Sequence, residues 1–123
     1  LTFKGVSSQE STSISSYGEG GFRIGDHRSI GSILITPKGY YPWAVTDADS
    51  ITLESLAQIT EQDVDILLIG TGDKMKFLRK ELRHSLQKEN IAVDMMSTGA
   101  AARTYNILLS EGRKVAAALI AID

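Results

Sequence analysis

The chain has 123 residues, of which 42% are hydrophobic and 23% charged, with a formal net charge of −2 at neutral pH and no cysteine. That length supports one globular domain with a real core, and the missing cysteine excludes disulfides, thiolate nucleophiles and thiolate metal ligands. A pI near 5.7 disfavours nucleic acid as a partner, and no apolar run approaches the roughly 20 residues of a membrane-spanning helix.

Residues 1–13 are polar and serine-rich and read as a partly ordered lead-in, ahead of one α/β domain over 14–123. Leu1-Thr2-Phe3-Lys4-Gly5 carries no secretory-signal pattern, and the absence of a leading Met leaves open what precedes it. Gly21-Phe22-Arg23-Ile24 alternates, Gly25-Asp26-His27-Arg28 supplies turn chemistry, and Ser29 to Thr36 reads as the return strand of a β-hairpin. Tyr40-Tyr41-Pro42-Trp43-Ala44-Val45 is an extended aromatic stretch whose proline suits an edge strand. Thr52 is placed to cap a short helix through Leu53, Leu56, Ala57 and Ile59.

From Asp65 onward the pattern is strand, helix, strand, helix, strand. The strands are Asp65 to Ile69, Ile91 to Met96 and Val115 to Ile122, and the first two are expected to run parallel in one sheet. A helix over about Met75 to Glu89 follows from the single apolar stripe of Met75, Leu78, Leu82 and Leu86, with Asn90 ending it. A second helix from about Gly99 to Glu111 has Ala101, Tyr105, Leu108 and Leu109 on one face, Ser97 or Thr98 as its cap, and Gly112 after it. The expected architecture is a three-layer α/β domain: one mixed central sheet with a β-rich N-terminal half and a βαβαβ C-terminal half.

In such sheets ligands sit where strand ends meet helix starts. Gly70-Thr71-Gly72-Asp73 begins like a dinucleotide fingerprint, with Asp94 about 20 residues on, but Met75 occupies the place of the third glycine. A tight turn needing glycine backbone freedom accounts for the same residues. Ser97-Thr98-Gly99 opens a helix whose first N–H groups form an anion site, and Arg103 is one turn further, with Thr104 and Asn106 beside it. The competing account makes Ser97 or Thr98 a cap and pairs Arg103 with a carboxylate such as Asp73 or Asp94. If the two turns adjoin, they share one crevice. His27 and His84 lie far apart without ligand spacing, and Asp63 with Asp65 reads as a solvated edge, so no catalytic or metal-binding set emerges. Charge is segregated: every charge from Asp47 to Asp65 is acidic, whereas Lys74, Lys76, Arg79, Lys80, Arg83 and Lys88 crowd the following segment.

Taken in order, Gly21-Phe22-Arg23, Trp43, Ile69-Gly70-Thr71-Gly72-Asp73, Ile91-Ala92-Val93-Asp94, Ala101-Ala102-Arg103-Thr104-Tyr105-Asn106 and Glu111 to Leu119 resemble a known family. It is the small α/β domain family typified by an archaeal protein of unknown function, whose mitochondrial member is an assembly factor for respiratory complex I. The resemblance implies a three-layer fold and no established catalytic residues. Many members carry Cys before the arginine of the helix motif, where this chain has Ala102. Two functional expectations follow. One is a non-enzymatic assembly or adaptor protein without a cofactor, with Tyr40, Tyr41 and Trp43 as an exposed aromatic surface for a protein partner. The other is a small-anion or nucleotide-binding protein using the Gly70 and Ser97 turns. Homo-oligomerisation and peripheral membrane contact are compatible with both, and the expected location is cytoplasmic, or the matrix side in a eukaryote. The thin catalytic inventory favours the adaptor.

Overall fold

Val115-Ala116-Ala117-Ala118-Leu119 is buried at every position, and its small side chains leave room for layers to close on both faces. The computed structural model describes residues 4–5 and 12–123, and this strand lies at the middle of its main sheet. Of the expected lead-in, residues 1–3 and 6–11 lie outside the described residues.

The strands in chain order are β1 (Lys4–Gly5), β2 (Ile14–Gly18), β3 (Gly21–Ile24), β4 (His27–Ile30), β5 (Ser32–Thr36), β6 (Gly39–Trp43), β7 (Ile66–Gly70), β8 (Ala92–Met96) and β9 (Val115–Leu119). The helices are α1 (Ala57–Thr60), α2 (Lys80–Lys88) and α3 (Thr98–Ser110). Short 3-10 turns at Ala48–Ser50 and Glu54–Leu56 precede α1. The Thr52 hydroxyl accepts the Ser55 N–H at 3.1 Å, but the residue at the N-cap of the second turn is Leu53 rather than the expected Thr52. The main sheet has the order β1-β6-β5-β9-β7-β8, and a second sheet has the order β2-β3-β4. β7 is parallel to both β8 and β9, while β5 is antiparallel to β6 and β9. The three C-terminal strands thus share one sheet, as the alternation of strand and helix requires.

Period-two alternation divides the core. Leu34, Leu67, Ile69, Ala116 and Ala118 face one side, where they meet Leu56, Ile59, Leu78, Leu82 and Leu86. Ile33, Ile35, Leu68, Val115, Ala117 and Leu119 face the other, against Ala101, Ala102 and Tyr105 of α3 and Ile14, Phe22 and Ile24 of the small sheet. This is a three-layer α/β arrangement in which the hairpin strands leave the central sheet to roof half of one face.

The hairpin forms a sheet of its own rather than part of one mixed sheet, the last strand ends at Leu119 rather than Ile122, and two further boundaries differ from the expectation. The return strand over 29–36 breaks at Gly31, whose φ of 90° turns the chain from the small sheet into the main one. The long helix starts at Lys80 rather than near Met75. Residues before it are held by one nearby hydroxyl and by groups more distant in the chain. The Thr71 hydroxyl accepts the Lys76 N–H at 2.9 Å and donates to the Lys74 carbonyl at 2.8 Å. The Arg79 guanidinium donates to the Ile51 carbonyl at 3.0 Å. These anchors override a local preference for helix, and Met75, expected in the apolar stripe, is 45% exposed. The helix ends fall where expected, with Asn90 at φ 60° and Gly112 at φ 76°.

Candidate functional site

Because β7 and β8 are parallel and in register from Ile66 with Ala92 to Gly70 with Met96, the turns that follow them lie side by side. The Thr71 N–H donates to the Met96 carbonyl at 2.9 Å, and the Thr98 N–H donates to the Gly72 carbonyl at 2.8 Å. Thr98 is fully buried between them. Its hydroxyl donates to the Ile120 carbonyl at 2.7 Å and accepts the Gly72 N–H at 3.0 Å. One side chain therefore joins the ends of β7 and β9 to the start of α3. Gly70 is needed for this approach, since a Cβ there would stand 2.8 Å from the Thr98 Cα and 2.9 Å from Leu119 Cδ2. Ser97 caps α3, its Oγ accepting the Ala100 N–H at a long 3.4 Å.

The α3 residues expected to reach back over this end point elsewhere. Arg103 is exposed and donates to the Tyr17 hydroxyl at 2.9 Å. That phenol lies over Gly99, where an added Cβ would be 2.6 Å from its oxygen. Asn106 holds β2, its carbonyl oxygen accepting the Ile14 N–H at 2.7 Å and its amide donating to the Ile14 carbonyl at 2.9 Å. Thr104 is half-buried on α3. Tyr105 is fully buried and shares a 3.0 Å hydrogen bond with Thr12. Burial pushes its phenol well above the usual tyrosine range, against a smaller lowering by the Thr12 hydroxyl.

Gly70, Thr71, Gly72, Ser97 and Thr98 thus come together, and Gly99, Arg103 and Asn106 form a separate set that clasps β2. Thr71, Gly72 and Asp73 also line an open groove of about 440 Å³, shared with Lys74, Lys76, Asp47 and the chain from Ile120 to Asp123. Asp47 and the lysines face one another there, so the acidic and basic segments adjoin within one molecule. At the opposite edge, the Lys114 ammonium is raised by its 2.7 Å contact with Asp63, and both groups are exposed.

The expected exposed aromatic surface is not formed. Tyr41 and Trp43 are buried in the core under the 3-10 turns and α1, because alternate residues of β6 face that layer. The Trp43 indole donates to the Ser55 carbonyl at 2.9 Å, and the Tyr41 hydroxyl receives the Gln62 amide at 3.1 Å. Tyr40 points to the other face and is half-buried. Sequence reasoning missed Tyr17 and Thr12 as partners of α3. Nothing local marks either one.

Residues 14–120 match the model of a family described as "Protein of unknown function (DUF498/DUF598)". The chain belongs to that family. An uncharacterized protein of Rhodobacter capsulatus is 42% identical over 107 residues, covering 87% of this chain and 82% of the relative. The zebrafish (Danio rerio) protein named NADH dehydrogenase [ubiquinone] 1 alpha subcomplex assembly factor 3 is 36% identical over 111 residues, which are 89% of this chain but 64% of that protein. The chain therefore spans about three fifths of the assembly factor. Among solved structures, one described as an outer membrane protein from Bartonella henselae superposes with a TM-score of 0.87 and 41% identity, covering 99% of this chain and all of that one. The family and the α/β fold expected from the motifs are both met. Ala102, at the position where the resemblance leads one to expect cysteine, is buried between α3 and the sheet.

The Arg103 contact yields a first prediction. Its partner is an exposed phenol, so Arg103→Ala should cost less than about 1 kcal/mol. Thermal melts with and without phosphate test this. A loss several times larger would mean a buried partner, and phosphate stabilisation present in the parent but lost in the variant would make Arg103 an anion ligand.

Proposed function

We propose that this protein is a non-enzymatic assembly or adaptor protein that acts through protein partners in building a respiratory NADH dehydrogenase. The similarity to a named assembly factor across 89% of this chain carries the reading. The disposition of the polar groups supports it. Where an α/β fold of this kind ordinarily receives a ligand, Thr98 and Gly72 spend their hydrogen bonds on the protein itself. Arg103 and Asn106 likewise hold β2. These four residues thus spend their polar groups within the protein, beside a groove that stays open to solvent.

Removal of the gene, followed by native electrophoresis and an NADH:ubiquinone oxidoreductase assay, tests the proposal. The expected result is accumulation of partial NADH dehydrogenase assemblies, with the tagged protein co-purifying with them. Fully assembled enzyme at parental levels without this protein would overturn the reading.

A further inference from the structure

The segment between β7 and α2 presents an unusual surface. Asp73-Lys74-Met75-Lys76-Phe77-Leu78-Arg79-Lys80 alternates cations with large apolar side chains. Leu78 is buried, but Phe77 is 72% exposed and Met75 45%. Lys74, Lys76, Arg79 and Lys80 are exposed beside them. This display is anchored. The Thr71 hydroxyl grips the backbone at Lys74 and Lys76, the Leu78 N–H points at the Met95 sulfur at 3.2 Å, and Arg79 is tied to Ile51. With Leu78 pulled into the core, its neighbour Phe77 is left facing solvent.

We propose that this segment docks on an anionic membrane surface, with Phe77 and Met75 entering the interfacial layer and Lys74, Lys76, Arg79 and Lys80 lying against acidic headgroups. Charge complementarity selects this occupant. From Asp73 to Arg83 five cations stand against Asp73 and Glu81, within a chain whose net charge is −2, so the positive excess is local. The apolar area agrees with it. Two exposed apolar side chains add to the electrostatic attraction, because interfacial binding scales with the apolar area buried plus the attraction to anionic lipids. A stable protein contact buries about 800 Å² per partner around an apolar centre, and here the exposed apolar surface is two side chains set among cations. Asp47, across the groove from Lys74 and Lys76, opposes the attraction, which confines docking to strongly anionic surfaces. No helix among the described residues is long and apolar enough to cross a membrane, so the contact is peripheral. The proposal is independent of the assembly reading and would stand if that reading fell.

Cosedimentation with phosphatidylcholine vesicles, with and without phosphatidylglycerol, tests it. The protein should bind only the anionic vesicles and be released as salt rises, because exposed charges are screened over about 8 Å at physiological ionic strength. Reversing both lysines, Lys74→Glu with Lys76→Glu, should lower partitioning roughly tenfold or more, and Phe77→Ser should lower it roughly tenfold. All three side chains are exposed, so unchanged thermal melts are expected. Insertion is read separately from Phe77→Trp, whose emission should be quenched by brominated lipid while the buried Trp43 of the parent is not. Failure to bind anionic vesicles at low salt overturns the proposal, as does binding that the variants leave unchanged. Binding without quenching overturns the insertion of Phe77. If the variants instead lose a co-purifying protein while the parent ignores vesicles, the segment serves a protein partner and the membrane assignment is wrong.

Discussion

Thr98→Val should destabilise the protein by about 1–3 kcal/mol, a large effect for a nearly isosteric change. The effect follows from where the hydroxyl sits. It is fully buried, donates to Ile120 and accepts from Gly72. Valine fills the same space and so leaves no cavity, but it strands a carbonyl and an N–H at the junction of β7, β9 and α3. The Ile120 carbonyl is buried, and stranding it costs about 1–3 kcal/mol; the Gly72 N–H is part-buried beside the groove and loses less. Thr98→Ser keeps the hydroxyl and should recover most of the loss. Urea unfolding of the three proteins, read at constant m, measures both effects. A valine variant within about 0.5 kcal/mol of the parent would mean that solvent from the groove also reaches the Ile120 carbonyl.

Stability should also fall steeply on the alkaline side because of Tyr105. In the unfolded chain this phenol loses its proton near the ordinary value of about 10. Burial raises the value in the folded protein. The stabilising contribution is therefore complete below about pH 10 and is lost as pH rises further, while the unfolded state has given up a proton that the folded state retains. The slope is about 1.4 kcal/mol per pH unit until the folded phenol itself ionises. Lysines and the other tyrosines titrate nearby, so the informative quantity is the difference between the parent and Tyr105→Phe. Near pH 8 the variant should be less stable by about 1 kcal/mol, having left the Thr12 hydroxyl without that partner. Above about pH 11 the order should invert. Parallel denaturation curves at each pH would show the crossing, and a constant difference across the range would mean that the phenol ionises freely in the folded state.

Most of the C-terminal half was legible in the residues themselves. β7 and β9 are apolar runs bounded by turn formers, and Asn90 and Gly112 mark helix ends through a positive φ that few residues adopt easily. Parallel pairing then required the Gly70 and Ser97 turns to adjoin. What those turns do together was not legible. The partners of the Thr98 hydroxyl lie 22 and 26 residues away, and the Tyr17 that meets Arg103 lies 86 away. The start of α2 was misplaced for the same reason. Met75 to Arg79 carry an acceptable helical pattern, and only contacts from Thr71, Ile51 and Met95 hold them out of it. The aromatic stretch of β6 was located correctly, but alternation alone could not say whether Tyr41 and Trp43 or their neighbours face the core.

The clasp of Asn106 on Ile14 bears on what one open sheet edge offers to a passing strand. β2 is an edge strand of the small sheet, and an open edge offers unpaired N–H and carbonyl groups to any strand that drifts past. A side-chain amide presents the same donor and acceptor as a peptide unit. By taking both backbone groups of Ile14, Asn106 occupies one rung of that edge with a group that cannot propagate a further strand. The helix thereby blocks strand addition at that rung of β2.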